Sequence, residues 1–173
     1  SSHPALGTIV RRLDFSHFNP TGAGMTARER AQTQNLIPET LLESLRLTTN
    51  LQEFLAQEHI DDELSPAVLK TLLCDLPKLK ALDLCACSST SFRDSFNSII
   101  SAQILPATLP IARLSLHECT ILPSSVFDNL LPRLPRLTHL DVAHTRITDA
   151  ALHSIPHTAC LTHLNLSKCS LLS

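Results

Sequence analysis

The sequence has 173 residues, of which 43% are hydrophobic, and its 14 Lys and Arg against 16 Asp and Glu give a formal net charge of −2. This length allows one domain with a continuous core, and the charge balance argues against sequence-independent binding of nucleic acid or anionic lipid. Trp and Tyr are absent and 3 Gly accompany 11 Pro, which indicates an aliphatic core and argues against glycine-rich phosphate loops.

A nine-residue phrase recurs along the chain. It places apolar residues at its first, fourth and sixth positions and, in its last four copies, Cys or Thr at its ninth. In chain order the copies occupy residues 10–18, 51–59, 79–87, 111–119, 137–145 and 161–169. The steps between copies shorten toward the C-terminus and reach the roughly 20 to 29 residues that are typical of leucine-rich repeats.

Segments with the apolar spacing of a helix separate these phrases. We predict helices over residues 38–47, 65–76, 91–100, 124–131 and 148–155. Ser65 before Pro66, and Thr148 before Asp149, are typical N-terminal caps. Each unit is strand, turn and helix, and it must stack on its neighbours because it cannot bury its apolar face alone. The predicted fold class is α/β: a solenoid of about six repeats, with a curved parallel sheet on the concave face and helices on the convex face.

Residues 1–173 are predicted to form this single domain, and two stretches lengthen its repeats. The polar residues 19–35 hold 2 of the 3 Gly and are predicted to be an exposed insertion. Residues 103–110 contain two prolines and are predicted to be a surface loop. The acidic triplet Asp61, Asp62 and Glu63 indicates a solvated turn before the next helix, in preference to a cation site.

The cysteines and the hydropathy bear on the compartment. Six cysteines would indicate disulfides in a small secreted protein. Three of them, Cys87, Cys119 and Cys169, share the ninth phrase position, which favours buried small side chains and reduced thiols in the cytoplasm or nucleus. Charged residues interrupt the most apolar stretch, residues 72–87, so no run reaches the roughly 18 residues that span a bilayer, and we predict no membrane partner.

Two residue pairs have the spacing of metal ligands. Cys85 and Cys87 are separated by one residue, and His153 and His157 are four residues apart. The repeat accounts for Cys87 as a core residue, and Pro156 is expected to end the helix that would align the two histidines. The sequence also contains neither a G-x-S-x-G elbow nor a dinucleotide-binding fingerprint. We therefore predict no metal, no cofactor and no enzymatic activity.

The last repeats carry a more specific motif. They contain Leu137, Leu140, Val142, Thr145, the Ile-Thr-Asp triplet at residues 147–149, Leu152, Leu161, Leu164, Leu166 and Cys169. The chain resembles the cysteine-containing subclass of leucine-rich repeats, which reads L-x-x-L-x-L-x-x-C-x-x-I-T-D-x-x-L, with Thr145 in place of Cys. The resemblance covers about residues 9–173 and extends to fungal F-box proteins with such repeats, which recruit substrates to cullin-type ubiquitin ligases. It implies contact with the cullin adaptor through an F-box, a module that this chain does not contain.

Alternation along each strand selects the candidate binding residues. If the first, fourth and sixth phrase positions build the core, the third, fifth and seventh must line the concave surface. The candidates that this places on the surface are Arg12, Asp14, Leu55, Asp83, Arg113, His117, His139, Asp141 and His163. Their mixed charge suits charge-assisted contacts with a protein or peptide, although any one of them could simply keep the sheet face solvated.

Three functions are therefore in view. The favoured one is a protein-interaction module, the substrate-recognition repeat region of an F-box-type ubiquitin ligase receptor, with its protein partner held on the concave face. The second is a structural scaffold subunit that packs through its helices or its ends. The third is an enzyme with a site assembled across repeats, which no motif supports.

Overall fold

A computed structural model describes residues 4–16 and 36–173 of the chain. The predicted insertion over residues 19–35 lies outside the described residues. Helices and strands alternate through the described parts, and all of the strands join one sheet. The observed class is α/β, as the sequence predicts.

Six short strands form one parallel sheet in chain order. They are β1 (Arg12–Asp14), β2 (Glu53–Ala56), β3 (Ala81–Leu84), β4 (Arg113–Ser115), β5 (His139–Asp141) and β6 (His163–Asn165). Each strand pairs with the next so that residues at the same phrase position lie opposite one another. The fourth-position residues Leu13, Phe54, Leu82, Leu114, Leu140 and Leu164 form one such row, which confirms the register that the repeat predicts.

Helices connect the strands. They are α1 (Pro4–Gly7), α2 (Pro38–Leu47), α3 (Pro66–Lys70), α4 (Thr90–Ser101), α5 (Ser124–Leu130) and α6 (Asp149–His153), with 3-10 turns at Glu58–Glu63 and Leu131–Arg133 and a π turn at Thr71–Asp75. The helix predicted over residues 65–76 is therefore divided into α3 and the π turn. The predicted caps are confirmed, because the hydroxyl of Ser65 accepts from the backbone N–H of Val68 and that of Thr148 from Ala151.

One apolar cluster joins the sheet to the helices. Fourth- and sixth-position leucines such as Leu82 and Leu84 pack in the same cluster as helical residues such as Phe92 and Phe127. Leu114 is 2% exposed, whereas Leu164, at the same phrase position, is 51% exposed. The difference arises because Leu114 lies between two neighbouring strands, whereas Leu164 is paired in the described sheet only on the β5 side.

A left-handed turn follows four of the strands. The eighth phrase residue has a positive φ in each of the last four copies, with values of 60°, 58°, 58° and 57° at Ala86, Glu118, His144 and Lys168. The N–H of Ala86 donates to the carbonyl of His117 in the next repeat at 2.7 Å. This turn brings the ninth residue back into the core, where the thiol of Cys119 donates to the carbonyl of Leu84 at 3.0 Å.

The acidic triplet is not the solvated turn that the sequence predicts. It lies in the 3-10 turn Glu58–Glu63, and Asp61 and Glu63 are only 8% and 9% exposed. The carboxylate of Asp61 accepts from the backbone N–H groups of Ser88 and Ser89 at 3.0 and 2.7 Å. Asp61 therefore caps the N-terminus of α4, where negative charge is stabilising, and only Asp62 remains exposed.

The predicted surface loop at residues 103–110 is confirmed in part. Residues 103, 104, 107 and 108 are exposed, but Leu109 is buried and its N–H donates to the carbonyl of Arg133 at 2.7 Å. The longest helix in the described ranges is α4, with 12 residues. Across residues 4–16 and 36–173, no helix is both long and apolar enough to cross a bilayer.

The stacked leucine row predicts unequal costs for one substitution at two equivalent positions. Leu114→Ala should lower the free energy of unfolding by about 2–5 kcal/mol, because it opens a cavity between two repeats. Leu164→Ala should cost less than about 1 kcal/mol, because half of that side chain is already solvated. Urea denaturation followed by circular dichroism measures both values. Equal losses would contradict the inter-repeat packing described here.

The Asp61 cap predicts a second matched pair. Asp61→Ala should cost about 1–3 kcal/mol of unfolding free energy, because two backbone N–H groups at the start of α4 lose their acceptor. Asp62→Ala, the exposed neighbour, should change it by less than about 0.5 kcal/mol. The same denaturation measurement compares the two, and an Asp61→Ala protein as stable as the wild type would rule out the cap.

Candidate functional site

The outward residues of the strands line one open groove of about 780 Å³. Third- and fifth-position residues from all six repeats contribute to its lining. Of the nine predicted binding residues, the groove is lined by Arg12, Leu55, Asp83, Arg113, His139, Asp141 and His163. Asp14 and His117 lie beside it and touch its lining residues. The structure thus brings the predicted residues together on one face.

A charged cluster occupies the end of the groove nearest β1. Glu53 accepts from Arg12 at 2.9 Å and also forms an ion pair with Arg113. Arg113 lies two strands from Glu53 and reaches it over Ala81, whose small side chain leaves the space. Arg12 also pairs with Asp14 at 2.7 Å, so two cations share two carboxylates here.

The hydrogen bonds in this cluster also fix the ionisation of Asp14. Its carboxylate accepts from the hydroxyl of Ser16 at 2.6 Å and from the backbone N–H of Ser16 at 3.0 Å. The Ser16 hydroxyl and then the Arg12 guanidinium hold the pKa of Asp14 well below its usual range. Asp14 is therefore a fixed negative charge that neutralises Arg12.

The fifth phrase position has a structural role that the sequence analysis did not identify. One side-chain oxygen of Asp83 accepts from the N–H of Cys85 at 3.0 Å, two residues later. Asp141 and Asn165 make the same bond to the N–H groups of Ala143 and Ser167. These side chains hold the chain as it leaves each strand. The second oxygen of Asp83 has no partner in the described parts of the chain.

Asp141 is satisfied by its own neighbours. Its Oδ1 lies 3.1 Å from Nδ1 of His117, and its Oδ2 accepts from the amide of Asn165 at 3.1 Å. A carboxylate only accepts, so His117 must carry its proton on Nδ1 in this contact. The candidates His117 and Asp141 are therefore paired with each other and offer fewer free polar atoms than their positions suggest.

Two stacked imidazoles form the other end of the groove. The rings of His139 and His163 are 4.0 Å apart, with 9° between their planes. Each Nδ1 lies 2.9 Å from the hydroxyl of the preceding threonine, Thr138 or Thr162. Each threonine hydroxyl donates to a backbone carbonyl, at 3.0 and 3.2 Å. Each hydroxyl must therefore accept from Nδ1–H, which leaves the Nε2 lone pair of each ring available to a partner.

The environment of this pair lowers the pKa of His139. Desolvation is the largest cause, and the neighbouring charges of His163 and Arg113 add to it. Sequence reasoning could have anticipated the pairing, because the dipeptide Thr-His recurs at the second and third phrase positions of the last two repeats. The pair therefore presents a flat aromatic surface, and its environment favours the neutral form of His139.

Burial favours the protonated thiols of Cys85, Cys87 and Cys119 in this fold. All six cysteines are free. Burial strongly raises the pKa of the Cys87 and Cys119 thiols, and burial followed by the charge of Asp83 raises the pKa of Cys85 to about 11. Over residues 4–16 and 36–173, no three His, Cys, Asp or Glu side chains are grouped so that they could hold a metal ion.

Comparison with known proteins shows a similarity to a yeast protein. No protein-family model matches this chain. The F-box protein YLR352W of Saccharomyces cerevisiae is 39% identical to it over 174 residues, an alignment that covers 92% of this chain. The same alignment covers 22% of the yeast protein, so the chain spans about a fifth of the length of that relative.

The stacked pair predicts a coupled titration. His163→Ala should raise the pKa of His139 toward its ordinary value, because it removes both a covering ring and a neighbouring positive charge. Titration of the histidine resonances by NMR measures this pKa. His153→Ala, on α6, is the control and should leave the pKa of His139 unchanged. A His139 pKa that does not rise in the His163→Ala variant would contradict the coupling.

The same shift gives a pH dependence of stability. In the folded state the pKa of His139 lies below its ordinary value of 6.5. The unfolded chain therefore binds the proton first, and this contribution to stability is lost as the pH falls below about 6.5. His163→Ala should reduce the loss of unfolding free energy between pH 7.5 and pH 5.5, measured by urea denaturation at each pH. An unchanged difference would count against the pair as its source.

Proposed function

We propose that this chain is a leucine-rich-repeat arc and forms the substrate-recognition region of an F-box-type ubiquitin ligase receptor. The groove would lie on the concave face of the arc and hold a protein partner. Similarity to a relative named as an F-box protein supports the class of receptor. The six in-register strands and their helices, built on a repeated nine-residue phrase, support the repeat type.

One observation carries the proposal: equivalent positions in all six repeats contribute to a single groove. Arg113 supplies hydrogen-bond donors, the free oxygen of Asp83 accepts, and the two imidazoles offer acceptors and a flat apolar face. Leu55 and Ala81, on the neighbouring strands β2 and β3, add apolar surface among these polar groups. An extended polypeptide needs this alternation of polar and apolar contacts along its length.

We propose that the chain acts by binding alone, without catalysis and without a cofactor. Contact with the cullin adaptor would come from an F-box outside these 173 residues. A cytoplasmic or nuclear location fits this role, and the six unpaired cysteines support a reducing compartment.

A double substitution in the groove tests the proposal. Arg113→Glu with His163→Glu should reduce capture of the bound protein by more than about tenfold, because it adds two negative charges where a guanidinium donor and an imidazole acceptor were available. Neither residue accepts a backbone N–H, unlike Asp83 and Asp141, so the fold should persist. The measurement is affinity capture with the full-length receptor from cells in which the proteasome is inhibited, followed by quantitative mass spectrometry.

The matched control makes the same substitutions in the helix α2 and in the turn that follows α6. Arg46→Glu with His157→Glu changes two exposed residues away from the groove and should capture the same proteins as the wild type. The cullin adaptor should be captured equally by all three forms. Identical capture by the groove variant and the control would reject the groove as the binding surface.

A scaffold role is the second candidate function. Its support is the apolar surface beside β6, where Leu161, Leu164 and Leu171 are all exposed. The capture experiment separates the two functions. If the full-length protein never brings down the cullin adaptor, and the proteins it does capture are not ubiquitinated, the scaffold role replaces the receptor role.

A further inference from the structure

A second surface lies where the chain enters strands β3, β4 and β5, at the edge opposite the left-handed turns. It consists of two adjoining cavities of about 380 and 420 Å³ that share Pro77, Pro110 and Arg136. Neither cavity is lined by the third- and fifth-position residues that line the groove. We call this surface the entry edge.

The first cavity of the entry edge is basic. Lys78, Lys80 and Arg136 line it, and all three side chains are exposed. No Asp or Glu lines either cavity. Five other cations in the described parts of the chain form ion pairs with carboxylates, whereas none of these three does. The entry edge therefore carries positive charge that the described chain does not neutralise.

The second cavity is lined mainly by leucine and proline side chains, with polar groups of Thr108 and Arg136 among them. Its lining includes the buried leucines Leu73, Leu76 and Leu109, together with four prolines. Proline has no N–H to donate, so the rings present little polarity to a ligand. An aliphatic side chain placed here would lie within reach of the shared Arg136, and hence next to the basic cavity.

The fold holds both cavities in place before any ligand arrives. The N–H of Lys80 donates to the carbonyl of Gln52, and the carbonyl of Lys80 accepts from Ala112, both at 2.8 Å. Lys78 donates to the side-chain oxygen of Asn50 at 2.6 Å. On the apolar side, Arg133 donates to the carbonyl of Pro106 at 3.2 Å and anchors the loop. Preorganisation of this kind lowers the entropic cost of binding.

We propose that the entry edge binds a short acidic polypeptide segment that carries an aliphatic side chain next to its carboxylates. The carboxylates pair with Lys78, Lys80 and Arg136, and the aliphatic side chain fills the proline-lined cavity. Three basic residues could contact only a few phosphates of a nucleic acid. In addition, the described residues that line the two cavities include no aromatic ring on which a base could stack. The leucines and prolines of the second cavity instead fit an aliphatic side chain. This inference does not depend on the proposed role of the groove.

A designed peptide tests the inference. The probe is a dye-labelled peptide of four glutamates followed by two leucines, and fluorescence anisotropy at 50 mM salt measures its binding to the 173-residue chain. Two companion peptides replace either the glutamates by glutamine or the leucines by alanine. The proposal expects each companion to bind at least fivefold more weakly than the probe, and expects the affinity of the probe to fall as salt rises.

Charge reversal locates the binding site. Lys80→Glu with Arg136→Glu should weaken binding of the probe by at least tenfold. The control, Lys168→Glu with Arg146→Glu, changes two exposed cations that also lack a carboxylate partner in the described chain, and it should stay within twofold of the wild type. Urea midpoints of both variants confirm that they remain folded.

Three outcomes would overturn the inference. They are no binding of the probe at millimolar concentration, equal loss in the entry-edge variant and its control, and tighter binding of a single-stranded oligonucleotide or of phosphatidylserine vesicles than of the probe. The groove variant Arg113→Glu with His163→Glu should retain the probe. The probe should bind this variant whether or not the variant still captures cellular proteins. A failure of the groove proposal can therefore be told apart from a failure of the entry-edge proposal.

Discussion

The whole structure depends on one constraint: the aliphatic residues at the fourth and sixth phrase positions can be buried only by the neighbouring repeats. Burying a leucine completely stabilises a fold by about 1.5–3 kcal/mol, so a slip in register between two strands would sacrifice several such contributions at once. The row from Leu13 to Leu164 therefore fixes every strand relative to the next. The outward residues fall into register as a consequence, and the groove follows from packing on the opposite face of the sheet.

Several polar atoms of that groove already form hydrogen bonds within the fold and are therefore less available to a partner. Asp141 is saturated by Ala143, His117 and Asn165, and Glu53 is shared by two arginines. A partner would have to replace these contacts, which returns little free energy because each lost hydrogen bond must be remade. The free oxygen of Asp83 and the Nε2 atoms of the stacked imidazoles need no such exchange. Binding energy in the groove should therefore concentrate at those atoms.

Local and periodic features of the structure could be predicted well from the sequence, whereas contacts between residues that are distant in the chain could not. Periodicity determined the strand register, and the helix Pro38–Leu47 was predicted to the residue. The burial of Asp61 was missed because its partners lie 27 and 28 residues away, at the start of α4. The pairing of Arg113 with Glu53 was missed because it depends on the small size of Ala81 in the strand between them. Such contacts depend on which repeats lie next to each other in the fold, and a local sequence pattern does not predict them.

Charge is separated along the strands of this sheet. The entry edge carries Lys78, Lys80 and Arg136, whereas Glu118 lies in the turn that follows β4 and Asp83 lies near the end of β3. A strand of three or four residues is roughly 10–13 Å long, which exceeds the Debye length of about 8 Å at physiological salt. The two edges are therefore largely screened from each other. The groove, however, begins beside the entry edge, because its lining residue Arg113 directly follows Ala112, which lines the entry edge. A ligand bound at the entry edge would therefore alter the electrostatic potential at the third-position side of the groove more than at the edge that carries the turns.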